Sequence, residues 1–256
     1  MNESKFDAST GSLSSKKPDL ILIHGFRGSP IGLQAISEHL KKAGYAVHVP
    51  AIPPFGGATM LTSYTADSYA KYIADYIDEH HLNRPILIGH SMGSIIAAAT
   101  GANYPEKIDH KLVLMSPISV KTAKPFTLVA PLSSVVPRRV VDYITTRFLF
   151  VPNNRALFRQ TLDTTNLCSA DHPPSRRAMA KATYFSAHSA VSDFSPRQKI
   201  LLLAGDQDRL VSKRNTTTLA KALQAELVFI PGSGHLHNYE KPTETAEAII
   251  KFLTKD

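Results

Sequence analysis

The feature that most constrains this chain is a serine between two glycines at residues 89–93, Gly-His-Ser-Met-Gly. A short apolar run at 85–88 precedes it, and a helix-forming stretch at 94–99 follows it. This order predicts a strand, a tight turn and a helix, with Ser91 at the apex of the turn. Larger side chains on either side of the serine would collide in so tight a turn, and glycine removes them. We therefore expect Ser91 to present its hydroxyl at the end of a strand.

Apolar runs and helical periodicities alternate along most of the chain. Continuous apolar runs, typical of strands that are buried on both faces of a sheet, occur at 19–23, 45–49, 85–88, 111–115, 199–204 and 226–230. Helical patterns occur at 31–43, 67–82, 94–99, 212–223 and 242–252. We therefore predict an α/β fold with a mostly parallel central sheet and helices on both faces.

The regular alternation is interrupted between residues 118 and 197. Ordinary connections between a strand and a helix have about 2–6 residues, so an insertion of this length must form its own structure. Helices are predicted at 138–150, from Asn153 or Asn154 to 162, and from Ser175 to 188. The insertion between the late strands is therefore predicted to be a mostly helical cap.

The rest of the organisation follows from composition. Residues 1–17 are rich in Ser and Lys and lack an apolar core, so they predict a disordered tail and not a signal peptide. The α/β core is assigned to 18–117 and 198–256, and the cap to 118–197. No apolar run approaches the roughly 18 residues of a membrane span. The lone cysteine, Cys168, excludes an internal disulfide and favours a reducing, cytoplasmic setting.

The net charge of +8 arises in one region of the chain. Residues 121–199 contain twelve Lys and Arg residues against four Asp residues, whereas the remainder is neutral. Two interpretations stay open: a solvated basic face, or a surface that attracts an anionic substrate, an acyl carrier or a membrane surface. No zinc pattern, P-loop or Gly-x-Gly-x-x-Gly motif occurs, so we expect no metal site and no nucleic-acid partner.

Two loops that follow late predicted strands carry groups that could activate Ser91. A serine hydroxyl becomes a good nucleophile when a base takes its proton and a third group orients that base. One loop contains Asp206 and Asp208, and the other contains His235 and His237. The residue types therefore suit nucleophilic catalysis, with the choice within each pair left open by the residues alone.

These motifs, in the order Ser, Asp, His, resemble those of the α/β-hydrolase superfamily, in its capped, lipase-like and esterase-like branch. The resemblance covers the predicted core and does not extend to the cap. In the family's Gly-x-x-Asp pattern the fourth residue is the catalytic acid, which selects Asp208 over Asp206. The family's Gly-His pattern selects His235 over His237. The resemblance therefore implies a catalytic triad of Ser91, Asp208 and His235.

The resemblance also implies an oxyanion hole, in which backbone N–H groups hold the negative charge that develops on the substrate. The residue after the nucleophile, Met92, supplies one N–H group. The segment His24-Gly25-Phe26 resembles the family's His-Gly-x motif and assigns the second N–H to Phe26. His24 and His90 are expected to have structural roles. The family's chemistry at such a triad requires no cofactor.

The function implied is a serine hydrolase that cleaves a small-molecule carboxylic ester through an acyl-enzyme. Serine at position 91 argues against the epoxide and haloalkane chemistry of relatives with aspartate there. The alternatives are a thioesterase or acyltransferase for an anionic, carrier-bound acyl group, a carbon–carbon bond hydrolase, and a slow-turnover receptor with the same fold. Contact of the apolar segment at 126–132 with a membrane surface also stays open.

Overall fold

The computed structural model describes residues 17–119, 151 and 174–255. These residues contain a six-stranded parallel sheet with the strand order β2-β1-β3-β4-β5-β6. The strands are β1 (Leu20–Ile23), β2 (Val47–His48), β3 (Ile86–His90), β4 (Lys111–Met115), β5 (Lys199–Gly205) and β6 (Glu226–Ile230). The helices are α1 (Gln34–Lys42), α2 (Ala66–Glu79), α3 (Met92–Asn103), α4 (Arg176–His188), α5 (Lys213–Ala222), α6 (His237–Glu240) and α7 (Pro242–Leu253). Short 3-10 helices occupy Pro30–Leu33 and Val191–Asp193.

The sheet is covered on both faces because its central strands are apolar on both sides. In β1, Ile21 and Ile23 belong to one buried cluster and Leu20 and Leu22 to another. The first cluster includes residues of α2, α3, α4 and α5, and the second includes residues of α1 and α7. Successive side chains of a strand point to opposite faces, so one continuous apolar run supplies both clusters. The predicted fold class is confirmed.

The structure differs from the predicted elements at β2, at α1 and at α6. Strand β2 has two residues, Val47 and His48, and both are only half buried. The predicted helix at 31–43 divides into a 3-10 helix and α1. Helix α6, with four residues, had no counterpart in the prediction because one turn is too short to show a periodicity.

Helix α4 is the α-helix of the predicted cap that lies among the described residues. Its N-cap is Ser175, whose side chain accepts a hydrogen bond from the Ala178 N–H at 3.2 Å, as the sequence predicted for a helix that begins there. Ala182 and Phe185 join the apolar cluster that lies against α2 and α3. The cap helices predicted at 138–150 and 153–162 lie outside the described residues, as does the tail at 1–16. The division into core and cap stays a prediction.

Parallel strands bring their carboxyl ends to one edge of the sheet, and the loops of interest all start there. The loop at 24–28 follows β1, Ser91 follows β3, Asp208 follows β5 and the loop at 231–236 follows β6. The topology thus gathers the predicted site residues. Within the part of the chain that the structure describes, no helix combines the length and apolarity needed to cross a membrane.

Candidate active site

Ser91 occupies the sharp turn between β3 and α3 that the sequence predicted. Its backbone has φ 53° and ψ −118°, a conformation that non-glycine residues rarely adopt. The Ser91 N–H donates to the Met115 carbonyl at 2.9 Å, which ties the turn to the neighbouring strand β4. The surrounding contacts therefore hold a strained residue at the apex, as happens at many active sites.

The two flanking glycines allow the backbones of the turn to approach one another. A methyl group at Gly89 would lie 2.2 Å from the carbonyl oxygen of Gly93. A methyl group at Gly93 would lie 2.2 Å from the carbonyl oxygen of Ile23, at the end of β1. Both distances are far below van der Waals contact, so the turn excludes any side chain at these positions.

Ser91, His235 and Asp208 form a continuous chain of hydrogen bonds. The Ser91 Oγ–H donates to His235 Nε2 at 2.9 Å, and His235 Nδ1–H donates to Asp208 Oδ2 at 2.9 Å. The side chains of His235 and Asp208 are almost fully buried, whereas Ser91 is partly exposed. The structure thus brings together a partly exposed hydroxyl, a buried imidazole bonded to it and a buried carboxylate bonded to the imidazole.

Asp208 is held as a carboxylate in spite of its burial. Burial alone raises its pKa, but the charge and hydrogen bond of His235 and the N–H groups of Val211 and Leu210 together lower the pKa below its ordinary value. Those N–H groups donate to Oδ1 at 2.9 and 2.8 Å, which leaves Oδ2 for the histidine. The ionised side chain can therefore stabilise a positively charged His235.

The two alternative residues, Asp206 and His237, have other hydrogen-bond partners. Asp206 Oδ1 accepts a hydrogen bond from the Gly232 N–H at 2.8 Å, so this carboxylate fixes the turn after β6. His237 Nδ1–H donates to Thr245 Oγ1 at 3.0 Å, and the His237 side chain is buried. Burial lowers the pKa of His237 to about 3, which keeps it neutral. Neither residue joins the chain of hydrogen bonds on Ser91.

The loop at 24–28, which we call the Phe26 loop, lies against the turn that holds Ser91. A methyl group at Gly25 would lie 3.1 Å from Ser91 Cβ, so the two backbones are close neighbours. Met92 begins α3, where the first N–H groups have no acceptor within the helix. No acceptor for the N–H of Phe26 or Met92 occurs among the described residues. The Met92 N–H thus lies at the positive end of α3 directly after Ser91, and the segment that contains Phe26 lies beside the same turn.

His24 fixes the Phe26 loop, as the sequence suggested. Its Nδ1–H donates to the Gly25 carbonyl at 3.0 Å, and its Nε2 accepts from the Ile52 N–H at 2.9 Å. Burial lowers the pKa of His24 to about 4. The neutral ring therefore joins the loop after β1 to the segment after β2.

Comparison with known proteins identifies the family. A model described as "Alpha/beta hydrolase family" matches residues 20–248. The chain belongs to this family. It is 24% identical over 249 residues to the uncharacterized hydrolase YugF of Bacillus subtilis. The matched region covers 91% of this chain and 89% of that protein. It is 26% identical over 207 residues to a 2-(acetamidomethylene)succinate hydrolase of Mesorhizobium japonicum, with 75% and 72% of the two chains covered.

A solved structure agrees with the fold of this alpha/beta hydrolase. A thermophilic esterase from Thermogutta terrifontis matches with a TM-score of 0.75 at 21% identity, over 93% of this chain and 90% of that one. The family match and these relatives together make the protein an enzyme of the hydrolase class.

The alpha/beta hydrolase also uses side chains whose part in the site the sequence did not reveal. The hydroxyl of Tyr69 donates to the Pro53 carbonyl at 2.7 Å, and that of Tyr72 donates to the Ala51 carbonyl at 2.9 Å. Tyr69 is also a buried member of the apolar cluster on this face of the sheet, and Tyr72 packs against that cluster. Their hydroxyl groups also fasten the segment after β2, which in turn holds the Phe26 loop through His24. Their helical spacing showed where they lie and gave no sign of their acceptors.

Two further side chains that the sequence left without a catalytic part contact the backbone of His235. His90 Nε2–H donates to the His235 carbonyl at 3.0 Å, and Ser116 Oγ–H donates to the same oxygen at 2.9 Å. One signal was available for Ser116, since it directly follows β4 just as Ser91 follows β3. The register pairs His90 with Met115, so the two serines come next to each other at the sheet edge.

Proposed function

We propose that this hydrolase cleaves a carboxylic ester by nucleophilic catalysis at Ser91. The observation that carries the proposal is the chain of hydrogen bonds from Ser91 through His235 to Asp208, with 2.9 Å at each step. A hydroxyl, an imidazole and a carboxylate in this order are the arrangement that generates a serine nucleophile. The esterase among the structural relatives is consistent with the same bond type.

In the first half of the reaction, Ser91 Oγ attacks the ester carbonyl while His235 Nε2 takes its proton. The new C–O bond yields a tetrahedral intermediate, and the positively charged His235 faces the Asp208 carboxylate. His235 then gives its proton to the departing alcohol as the ester C–O bond breaks. Asp208 keeps its negative charge throughout, which suits its lowered pKa.

The negative charge of the intermediate is assigned to the N–H groups of Phe26 and Met92. Both groups are free to donate among the described residues, and Gly25 brings their two loops together. The loss of one such donor typically lowers turnover by about a hundred- to a thousand-fold. His24 and the two tyrosines would serve by keeping the Phe26 loop still.

In the second half, water enters where the alcohol left and gives a proton to His235 Nε2. The resulting hydroxide attacks the acyl carbon, and Ser91 leaves with the proton returned by His235. The four groups that act in this sequence are a hydroxyl, an imidazole, a carboxylate and backbone amides. All of them belong to the chain, so no cofactor enters the proposed mechanism.

A second candidate is hydrolysis or transfer of an anionic acyl group, including a thioester on a carrier. The observation that favours it is a pair of exposed arginines, Arg176 and Arg177, in the first turn of α4, which contains no acidic residue. Cations are unfavourable at a helix N-terminus, so their presence there calls for another reason. The relative named for a substituted succinate is consistent with an anionic substrate.

The experiment that tests the main proposal is hydrolysis of p-nitrophenyl esters of increasing acyl length by the wild type and by Ser91→Ala. We expect wild-type turnover with an optimum at one chain length, and a loss of at least about 10⁴-fold in Ser91→Ala. Ser68→Ala, which removes the hydroxyl of a half-buried serine on α2, serves as the matched control and should keep full activity. Retained turnover in a folded Ser91→Ala protein would overturn the proposal.

A further inference from the structure

The backbone carbonyl of His235 accepts two hydrogen bonds from side chains. A carbonyl oxygen has two lone pairs, and here each has a side-chain donor, His90 Nε2–H at 3.0 Å and Ser116 Oγ–H at 2.9 Å. Both donors are buried, with exposed fractions of 5% and 0%. The two residues come from the ends of β3 and β4, far from His235 in sequence.

His90 can act only as a neutral donor. Burial, followed by the neighbouring His235, lowers the pKa of His90 to about 3. At neutral pH the ring therefore carries one proton, and the bond to the His235 carbonyl requires that proton to be on Nε2. A neutral ring also adds no charge that would oppose protonation of His235, at a distance of 5.4 Å between ring centres.

Ser116 adopts a strained conformation that serves the same bond. Its φ is 43°, which is uncommon for a residue with a side chain. Its N–H donates to the Leu203 carbonyl at 2.7 Å, so the strained residue is fixed between β4 and β5. Strain of this kind persists only where the surroundings impose it, and it is concentrated at functional sites.

We propose that His90 and Ser116 are positioning residues, which set the reactive imidazole by clamping the backbone carbonyl of His235. This inference rests on the proposed function and adds two residues to it. With its carbonyl fixed, the backbone of residue 235 cannot shift, so the ring keeps its distance to Ser91. Displacement of a catalytic group by about 1 Å can cost on the order of 100-fold in rate.

The clamp matters most after the acyl-enzyme has formed. Before acylation, the ring of His235 is held by Asp208 on one side and by the Ser91 hydroxyl on the other. Once Ser91 carries the acyl group, its oxygen has no proton to donate, and that second contact is lost. The ring then depends on Asp208 and on its own backbone while it activates water. Weakening the clamp should therefore slow deacylation more than acylation.

The test is rapid-mixing kinetics with a p-nitrophenyl ester, in which the burst reports acylation and the later linear phase reports deacylation. We expect Ser116→Ala to lower the linear rate about tenfold while the burst rate changes less than threefold, with KM falling in step with kcat. Thr100→Val is the matched control, because Thr100 also donates a buried hydroxyl, to the Ile96 carbonyl at 2.8 Å, without contacting the site.

His90 is tested by two amide variants of different reach. Glutamine places its amide N–H near the position of imidazole Nε2, and asparagine places it near Nδ1. We expect His90→Gln to retain most of the linear rate and His90→Asn to lose it about tenfold. Equal rates in the two variants, or equal losses in Ser116→Ala and Thr100→Val, would overturn the proposal. Turnover retained in Ser91→Ala would instead overturn the proposed function, so the two failures are distinguishable.

Discussion

The nucleophile and the base of the proposed triad reach their positions by different routes. Ser91 lies in a turn whose shape follows from five consecutive residues, with glycine on either side of the strained apex. His235 is set by partners that are distant in sequence: Asp208 is 27 positions away, Ser116 is 119 and His90 is 145. The Ser91 turn is specified by a local motif and is then braced by β1 and β4, whereas the position of His235 depends on residues that are all distant in sequence.

This difference between the two regions indicates what a substitution in each of them should disturb. A change in the serine turn alters a few adjacent residues and their approach to β1. A substitution of His90 or Ser116, which hold the His235 carbonyl, alters an interaction between strands that meet only in the folded protein. Substitutions around the loop after β6 should therefore best distinguish a displaced His235 from the removal of a reacting group.

The largest expected effect separates the two carboxylates near this loop. Asp208→Asn should lower kcat on the order of 10⁴-fold, because an amide cannot stabilise a charged His235 or fix its tautomer. Asp206→Asn should cost less than about tenfold, because the amide oxygen can still accept from the Gly232 N–H. Steady-state kinetics on a p-nitrophenyl ester measures both. An Asp206→Asn loss equal to that of Asp208→Asn would show that the acid has been misassigned.

The second effect is a steep dependence of the free energy of unfolding on pH. It arises from buried histidines in both regions, the serine turn and the segment around His235. Burial lowers the pKa values of His24, His90 and His237 to about 4, 3 and 3. Between pH 6.5 and about 4 the unfolded chain binds protons that the folded chain does not. The free energy of unfolding should therefore fall with falling pH, by about 1.4 kcal/mol per pH unit for each histidine.

Urea unfolding at pH 7, 6 and 5 measures this slope. His237→Gln removes one of these three buried histidines, and the slope should decrease by about one proton. The lowered pKa of Asp208 adds a loss only at lower pH, near and below the ordinary carboxyl range. Stability that stays constant from pH 7 to pH 5 would contradict the buried, neutral state of the three rings.

The third effect tests the close contact between the end of β5 and the loop that holds His235. A methyl group at Gly205 would lie 2.1 Å from the Gly234 carbonyl oxygen and 2.4 Å from that of Ser233, so Gly205→Ala must displace the loop after β6. We expect kcat to fall about 100-fold. Gly232→Ala is the control in the same loop, since nothing lies within 4 Å of the added methyl group and its φ of +68° costs stability alone. Wild-type kcat in Gly205→Ala would refute this argument.

The smallest effect concerns the basic start of α4. The double variant Arg176→Glu with Arg177→Glu should raise KM several-fold for an anionic ester and leave KM for a neutral ester unchanged. Glutamate also suits a helix N-terminus, so the melting temperature should rise slightly. Added salt should reduce the difference in KM. An equal KM for the anionic ester in the wild type and the variant would remove the support for an anionic substrate.

The sequence predicted that Ser91, Asp208 and His235 lie together, but it did not predict the contacts that hold them in place. Ser91, Asp208 and His235 stand in short motifs at the ends of strands, and the structure brings all three into hydrogen-bonding contact. His90 was expected to be structural and Ser116 was not singled out. Their common acceptor is a backbone carbonyl more than a hundred residues away, and no local pattern encodes such a partner.

The elements of the fold were also predictable only where the local sequence has a clear pattern. The central strands were predictable because each is an apolar run buried on both faces. The edge strand β2 was predicted too long, since its two residues are only half buried and form few contacts to define its ends. Helix α6 was missed because four residues show no periodicity. The hydroxyl contacts of Tyr69 and Tyr72 join a helix to an irregular segment, which no periodicity predicts.

The most direct test of the account is the intact mass of the enzyme, quenched in acid during turnover of a p-nitrophenyl ester. The account predicts an increase by the mass of one acyl group, located by peptide mapping on the segment that contains Ser91 and absent in Ser91→Ala. An acyl group on another residue, or rapid turnover with no acyl-enzyme even in the slowly deacylating Ser116→Ala variant, would contradict a mechanism that proceeds through Ser91.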